Sequence, residues 1–475
     1  MDTGGVTVDQ VQELLDAAVD FVWGPFLLIP LLLLTGLWLT LILRALQFRQ
    51  LIYALWFGLI KRKEVGAEGD ITHYQALTTA LAATIGVGNI AGVATAIFFG
   101  GPGAVLWMWV TGLVGMATKY SEAFLGVRFR RVDAKGEQSG GPMFYLRRGI
   151  DNWFGALLGF AFAIFAAVAA FGIGNMVQAN TVADSINDQF GVAVWVTGLV
   201  LMLGAGAVII GGIKSIGRVT AALVPFMAVA YILGALWVII ANIGALPDAF
   251  VMIFTDAFTG TAAAGGFLGA GVAQVIQFGV ARGIFSNESG LGTGGIAAAA
   301  AQTSHPVRQA LVSMTQTFID TLVVVSFTAL AIITTGAWTS GERGATMTML
   351  AFSEGLPGEW GSIIVALAVA LFAFSTLLGW SYFGERCMDF LFGRVAVAPY
   401  RLLFVLLIFV GATQELTVVW AFADVMNGLM ALPNLIGLII MSGMIARETR
   451  QYMQRSDWKV AEAAPLGQEP PPPQV

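Results

Sequence analysis

The stretch Ala83-Thr-Ile-Gly-Val-Gly-Asn-Ile-Ala-Gly92 sits inside an apolar run that reaches from His73 to Phe99. Glycine costs a helix about 1 kcal/mol relative to alanine, and Gly86, Gly88 and Gly92 fall close together here. An unwound helix inside a membrane exposes backbone groups, tolerable only where they are buried in protein or line a polar cavity. Free carbonyls there can coordinate a bare cation, and free amides at a half-helix N-terminus can hold a carboxylate. Thr84 and Asn89 add polar side chains beside the break. The competing reading is close helix packing, because Gly88 and Gly92 also form a Gly-x-x-x-Gly pair.

The rest of the chain shows why a membrane is the setting. It has 475 residues, 57% hydrophobic and 11% charged, with a mean hydropathy of +0.80. Soluble domains carry about twice that share of charge. About eleven candidate spans follow from the apolar runs, at 22–47, 73–99, 101–127, 152–181, 192–211, 217–243, 264–285, 307–336, 362–386, 397–414 and 419–446. Met1 to Asp20 is acidic, so no signal peptide is expected, and Val8 to Val22 reads as an amphipathic helix on the membrane surface. Residues 447–475 form a polar, Pro-rich cytoplasmic tail.

With these spans alternating, all but Arg343 of the 24 Lys and Arg residues fall on one side. The positive-inside rule then predicts an outside N-terminus and a cytoplasmic C-terminus in the cell membrane. If residues 1–47 are peripheral, the spans group as 73–243 and 264–446. Five helices per group would make the halves opposite in orientation, the geometry of an inverted repeat. The first span of the second group contains GGFLGAGVAQVIQFGVARG (Gly265–Gly283), a second glycine-interrupted segment. Paired broken helices are the best sequence pointer to a binding site.

Other polar groups inside the spans join these segments. Asn175 and Gln178 are spaced i,i+3, as are Gln274 and Gln277. Each pair serves either a pocket or helix–helix contact. Ser375 and Thr376 could complete a carbonyl-lined sodium site, or simply bond back to their own helix. Asp320 is an acid near mid-span, either a proton or ion relay or, the favoured reading, a structural partner of Arg282 or Lys119. Arg282, Asn287 and Glu288 are expected to form a cytoplasmic gate or a loop-ordering network, and not a substrate site. A lone Cys387 and two separated histidines, His73 and His305, exclude a Cys-based zinc site and offer no catalytic cluster. No GxxxxGK[ST] loop appears, so an ATP-driven pump is not expected. No nucleic-acid stripe and no enzyme activity are expected.

These segments resemble the alanine or glycine:cation symporter family. The clearest likeness is GGPGAVLWMWVTGLVG (Gly100–Gly115), although the family pattern has phenylalanine where Leu106 stands. IGVGNIAGVATAI (Ile85–Ile97), GNMVQAN (Gly174–Asn180), ARGIFSNESGLG (Ala281–Gly292) and FIDTL (Phe318–Leu322) follow in the expected order. The resemblance implies an all-α leucine-transporter-like fold with a five-plus-five inverted repeat and one peripheral N-terminal helix. It implies uptake of alanine or glycine driven by sodium, with no cofactor beyond that ion. Related substrates and proton coupling remain open alternatives.

By similarity to that fold, sodium would be held by the Ala82, Ile85 and Phe372 carbonyls and the Ser375 and Thr376 hydroxyls. Substrate would lie against Thr84, Gly86, Gly88, Asn89, Asn175, Gln178, Gln274, Gln277, Phe278, Gly279 and Trp380.

Overall fold

The computed structural model describes residues 8–24, 26–64, 66–263, 267–414, 417–456 and 458–459. The expected Pro-rich tail beyond 459, the start of the seventh span at 264–266 and the break residue Glu415 lie outside them. The helices relevant to the site are α1 (Val8–Val22), α2 (Leu28–Ile42), α3 (His73–Thr84), α4 (Ala91–Gly100) and α5 (Ala104–Arg128). A small hairpin of β1 (Arg131–Val132) and β2 (Gln138–Ser139) follows. Then come α6 (Trp153–Phe190), α7 (Val194–Ile209), α8 (Gly212–Ala241) and α9 (Leu246–Thr259). Next are α10 (Val272–Asn287), α11 (Thr293–Ala299), α12 (Pro306–Thr335) and α13 (Gly344–Gly355). The last are α14 (Trp360–Phe392), α15 (Val397–Thr413) and α16 (Thr417–Met453).

Among the described residues six helices are long and apolar enough to cross a bilayer unaided: α6, α8, α12, α14, α15 and α16. Of the remaining expected spans, α5 has 25 residues but is less apolar, and the others are too short for that by themselves. The span around the glycine stretch divides into α3 with 12 residues and α4 with 10. The next interrupted helix divides into α10 with 16 residues and α11 with 7. The chain therefore crosses partly on half-helices, whose free ends must find polar partners inside the protein.

Helix α8 shows how the apolar shell is arranged. Phe226, Val229, Leu233, Trp237 and Ile240 recur at helical spacing and are exposed, while Tyr231, Ala235 and Val238 on the other face are buried. An exposed aromatic and aliphatic stripe of that length suits lipid rather than water. The interior holds the polar load: His73, Asn89, Lys119, Glu122, Asn175, Gln178, Arg308, Asp320, Glu385 and Arg386 are all buried.

Around the site, α5 packs against α10, α11 and the first half of α12, and α14 packs against α3 and α6. At the α5–α11 contact Gly126 permits backbone-to-backbone approach. A Cβ placed on it would lie 2.3 Å from the Gly295 carbonyl oxygen. Small residues at such crossings let helices interlock by van der Waals contact alone. At the end of the molecule carrying the hairpin, the segment before α3 seals against the segment after α11. Asp70 N–H donates to the Ala300 carbonyl at 2.8 Å and Gln302 N–H to the Ile71 carbonyl at 2.7 Å. Arg130 locks the seam by donating to the Ala301 carbonyl at 2.8 Å and the Glu68 carbonyl at 3.1 Å.

Overpacking a tight contact costs about 1–3 kcal/mol. Gly126→Ala should therefore lower the melting temperature of the purified protein. Gly443→Ala, where an added Cβ meets nothing within 4 Å, should leave it unchanged. Equal melting temperatures for both variants would refute the interlocked contact.

Candidate functional site

The glycine stretch is unwound. Helix α3 ends at Thr84, Gly86 is extended, Val87–Asn89 makes one tight turn, and α4 begins at Ala91. The amides that would have continued the helix go to side chains instead. Gly86 N–H donates to Asn89 Oδ1 at 3.0 Å, and Val87 N–H donates to Gln178 Oε1 at 3.2 Å. The carbonyls of α3's last turn thereby lose their usual donors four residues on.

Those carbonyls face α14, and five oxygens converge. Ser375 Oγ lies 3.1 Å from the Ala82 carbonyl, 3.3 Å from that of Ile85 and 2.8 Å from that of Phe372. Thr376 Oγ1 lies 3.1 Å from both the Ala82 and Phe372 carbonyls. Each hydroxyl has one proton to donate, so two protons cannot serve five close oxygen pairs. A hard monovalent cation satisfies such a set, which is all oxygen and carries no formal charge. Among the described residues no group of three or more His, Cys, Asp or Glu offers a different metal site. Gly86 permits the approach: a Cβ there would sit 2.4 Å from Thr376 Oγ1.

The second interruption lies at Glu288–Gly292, between α10 and α11, and not in the Gly265–Gly283 run. Three of its residues have left-handed backbone, Glu288 at φ +55°, Gly290 at +98° and Gly292 at +91°, which explains two of the glycines. Its amides are gathered by one buried carboxylate from α5. Glu122 Oε1 accepts from Gly290 N–H, Gly292 N–H and Asn434 Nδ2, each at 2.9 Å. Lys119 donates to the Glu288 carbonyl at 2.9 Å and sits 3.6 Å from Glu122. The Glu288 side chain accepts from Trp380 Nε1 at 2.8 Å and from Thr293 Oγ1 at 2.5 Å.

A third carboxylate ties the two interruptions together. Asp320, in a π-helical stretch of α12 (Phe318–Val325), accepts from Asn89 Nδ2 at 2.7 Å, Ser286 Oγ at 2.9 Å and Thr321 Oγ1 at 2.8 Å. The expected pairing with Arg282 or Lys119 is not what is found. Arg282 lies 3.8 Å from Asp424, and Lys119 is committed to the Glu288–Gly292 segment. Neutral donors on both half-helix ends take the carboxylate instead.

Two cavities meet at Phe285. A small space of ≈10 Å³ is lined by Ala83, Thr84, Gly86, Gly88, Ile173, Gln178, Phe285, Glu288, Leu291, Thr376 and Trp380. A larger one of ≈790 Å³ lies beyond Phe285, with Asp184, Asp188, Arg282, Arg343 and Trp420 in its wall. Phe285 stacks on Trp420 at 6.5 Å, and the Arg282 guanidinium lies 5.5 Å from the Phe285 ring centre. Arg282 thus sits at the end of the molecule that carries Arg343, opposite the end expected for it. Arg282 and Glu288 do not form a gate at the hairpin end. One borders the larger cavity and the other the small central one.

Of the expected substrate contacts, Thr84, Gly86, Gly88, Gln178 and Trp380 line the small cavity, and Asn89 holds its floor through Gly86 and Asp320. Asn175 turns away, donating to the Phe404 carbonyl at 2.7 Å. The π-helical stretch Gly172–Met176 rotates it off the face expected from i,i+3 spacing. Gln274 is exposed, Phe278 stacks on Phe99, and Gly279 packs against Ala104 and Trp107. These three, with half-buried Gln277, do not line the small cavity, because the break comes later in the chain than the glycine count implied. The liners that sequence reasoning missed are Ala83, Ile173, Phe285, Glu288 and Leu291. The Asn-Glu-Ser-Gly-Leu-Gly run was their available signal.

Two interrupted helices crossed beside an oxygen cluster define a class of secondary transporter. A solved structure of the same fold is MhsT in complex with L-phenylalanine, at TM-score 0.56 and 13% identity, covering 84% of this chain and 92% of that one. The chain belongs to the sodium:alanine symporter family, whose model matches residues 8–464. It is similar to the sodium/alanine symporter AgcS of Methanococcus maripaludis, with 51% identity over 93% of this chain and 97% of that protein. It is also similar to a probable sodium/glutamine symporter, GlnT, of Bacillus subtilis, with 36% identity over 94% and 91%.

Asn89→Ala would leave the Gly86 amide without its acceptor and take one donor from Asp320. Stranding a buried polar group costs about 1–3 kcal/mol. A lowered melting temperature is expected, and a larger drop for Asn89→Asp, which sets a second carboxylate against Asp320. Unchanged melting of both variants would sink the bridging role.

Proposed function

We propose that the protein takes up small neutral amino acids, alanine and glycine, by alternating access, driven by sodium entering with them. The observation that carries this is the five-oxygen cluster at the end of α3. Sodium there joins the Ala82, Ile85 and Phe372 carbonyls to the Ser375 and Thr376 hydroxyls. It fixes the unwound segment, and so the walls of the cavity next to it. Thr376 contributes to both, since its hydroxyl borders the cluster and its side chain lines the cavity.

The amino acid is read as lying against Thr84, Gly86, Gly88, Gln178 and Trp380. Its carboxylate would face the N-terminal end of α4, where amides and helix dipole favour negative charge. Its ammonium would face Glu288, whose carboxylate borders the cavity. The space of ≈10 Å³ is about the size of one water, so an amino acid enters only when the side chains around it, Phe285 and Trp380 among them, move apart; Trp380 is backed directly by Gly174. Phe285 separates this space from the larger cavity, while the seam near Arg130 closes the opposite end. We read this arrangement as facing outward, with the N-terminus outside and the C-terminus in the cytoplasm. Residues 73–243 and 264–446 are read as two inverted five-helix repeats, with residues 1–47 peripheral.

The decisive measurement is uptake of labelled alanine into liposomes containing the purified protein, with and without an inward sodium gradient. Concentrative, sodium-dependent uptake is expected. Ser375→Ala/Thr376→Val should cut initial uptake by roughly tenfold or more, the effect of about 1.4 kcal/mol in ion binding. Uptake that follows a proton gradient alone would discard the sodium site.

Orientation is tested with cysteine probes, because native Cys387 is buried. In intact cells a membrane-impermeant maleimide should label Thr346→Cys, at the larger cavity, and spare Lys459→Cys. The reverse pattern would invert the topology.

A further inference from the structure

Gly290 lies between two residues that line the small cavity, Glu288 and Leu291, and it has left-handed backbone at φ +98°. No helix ladder fixes a residue in that conformation, so its direction is set by whatever holds its amide and its carbonyl. The amide goes to Glu122 Oε1 at 2.9 Å. The carbonyl accepts from Asn434 Nδ2 at 2.8 Å. Asn434 belongs to α16, 144 positions further along the chain, and it is buried.

The Asn434 amide can lie only one way round. Its Nδ2 also donates to Glu122 Oε1 at 2.9 Å, so a carboxylate and a carbonyl both face that edge. Turning the amide over would set its own oxygen against these two acceptors. The nitrogen edge therefore points at the break, with both protons used. The oxygen edge takes the Tyr145 hydroxyl, which in consequence donates. Tyr145 is buried on the short helix Pro142–Gly149. The same helix supports the break elsewhere, since a Cβ on Gly292 would lie 2.5 Å from the Pro142 ring.

A polar side chain in the middle of a membrane helix is expensive and persists only with partners. A neighbouring helix would serve if holding α16 in place were its whole task. Asn434 instead grips the carbonyl of the broken backbone and the carboxylate that gathers its amides. Lys119 holds the Glu288 carbonyl at 2.9 Å, so the turn is pinned on both sides of the residue whose side chain borders the cavity.

We propose that Asn434, oriented by Tyr145, is a positioning residue for the amino-acid substrate. It fixes Gly290 and so aims the Glu288 carboxylate and the Leu291 side chain at the small cavity. This role rests on Glu288 being the partner of the substrate's ammonium, as read above. Without the grip, the Gly290 carbonyl loses its donor and the two cavity-lining side chains spread over several positions. Apparent affinity then falls by the fraction of molecules still in the competent arrangement. The oxygen cluster between α3 and α14 shares no residue with this grip, so ion binding is preserved.

The test follows the melting temperature of the purified full-length protein, first with sodium alone and then with alanine at saturating sodium. Asn434→Leu, similar in volume but without donors, should raise the half-saturating alanine concentration roughly tenfold, the effect of about one hydrogen bond. The shift produced by sodium alone should remain. Tyr145→Phe removes only the hydroxyl behind the amide and should give a smaller rise, about threefold. Thr449→Val is the comparator, because it breaks a different buried bond on α16, to Tyr120 at 2.9 Å. It should lower the melting temperature and leave the alanine response as it is. An unchanged alanine response in Asn434→Leu, or in Tyr145→Phe should the first variant not fold, would overturn the positioning role. So would an equal loss in Thr449→Val, since any weakening of α16 would then suffice. A native protein that responds to sodium and not to alanine would instead overturn the reading of Glu288, and this role with it.

Discussion

Backbone amides and carbonyls released inside an apolar slab must be paired within the protein, and this constraint organises the centre of the molecule. Unwinding frees several such groups at each of two places, and no water is available to them in lipid. At one break, side-chain amides of Asn89 and Gln178 accept the loose N–H groups. At the other, the Glu122 carboxylate collects two amides at once, with Lys119 holding the adjoining carbonyl. Buried charge is expensive unless paired and hydrogen-bonded, and here the pairing partners are the broken backbone itself. The charged groups of α5 are therefore part of the same device as the glycines they face.

The carbonyls left over at the end of α3 are the groups on which the proposed function rests. They meet two hydroxyls of α14, and the resulting cluster has more acceptors than protons. The cluster joins α3 to α14, and it is where the function proposed above places the cation. Asp320 provides a second tie, gathering Asn89 from one break and Ser286 from just before the other. The oxygen cluster and the adjacent cavity are linked through Thr376, which belongs to both, and through Gly86, which lines the cavity and is held by Asn89. The separation between the two cavities is lighter: Phe285 stacks on Trp420 with the Arg282 guanidinium beside its ring. The seam near Arg130 is held by backbone bonds between two segments.

The five oxygen positions were legible before any coordinates, because Gly-x-Gly-Asn and adjacent Ser-Thr are local patterns with a family resemblance behind them. The amides of α10 were not. Gln274 and Gln277 looked like pocket residues because glycine density suggested a break beside them. Helix α10 instead runs unbroken past Phe278 and Gly279 to Asn287. What breaks it is a run of left-handed residues whose amides are claimed by Glu122, a residue 168 positions away from Gly290. Asn175 failed for a related reason: one π-helical turn changes which way a side chain points, and that turn has no composition signature. Asp320 was correctly singled out as costly, but its partners proved to be neutral donors instead of a distant arginine or lysine.

The sequence alone determined that the chain is helical, that it lives in a bilayer, and that its first long interrupted span unwinds at the glycines. Those properties follow from hydropathy, from glycine's helix penalty and from residues adjacent in the chain. Tertiary structure decided which carboxylate pairs with which loose amide, where the second helix breaks, and which aromatic rings close the cavity. Each of these depends on contacts between residues far apart in the chain. In a low-dielectric interior the energy of a polar group is set by whatever side chain reaches it, and local sequence does not record that distance.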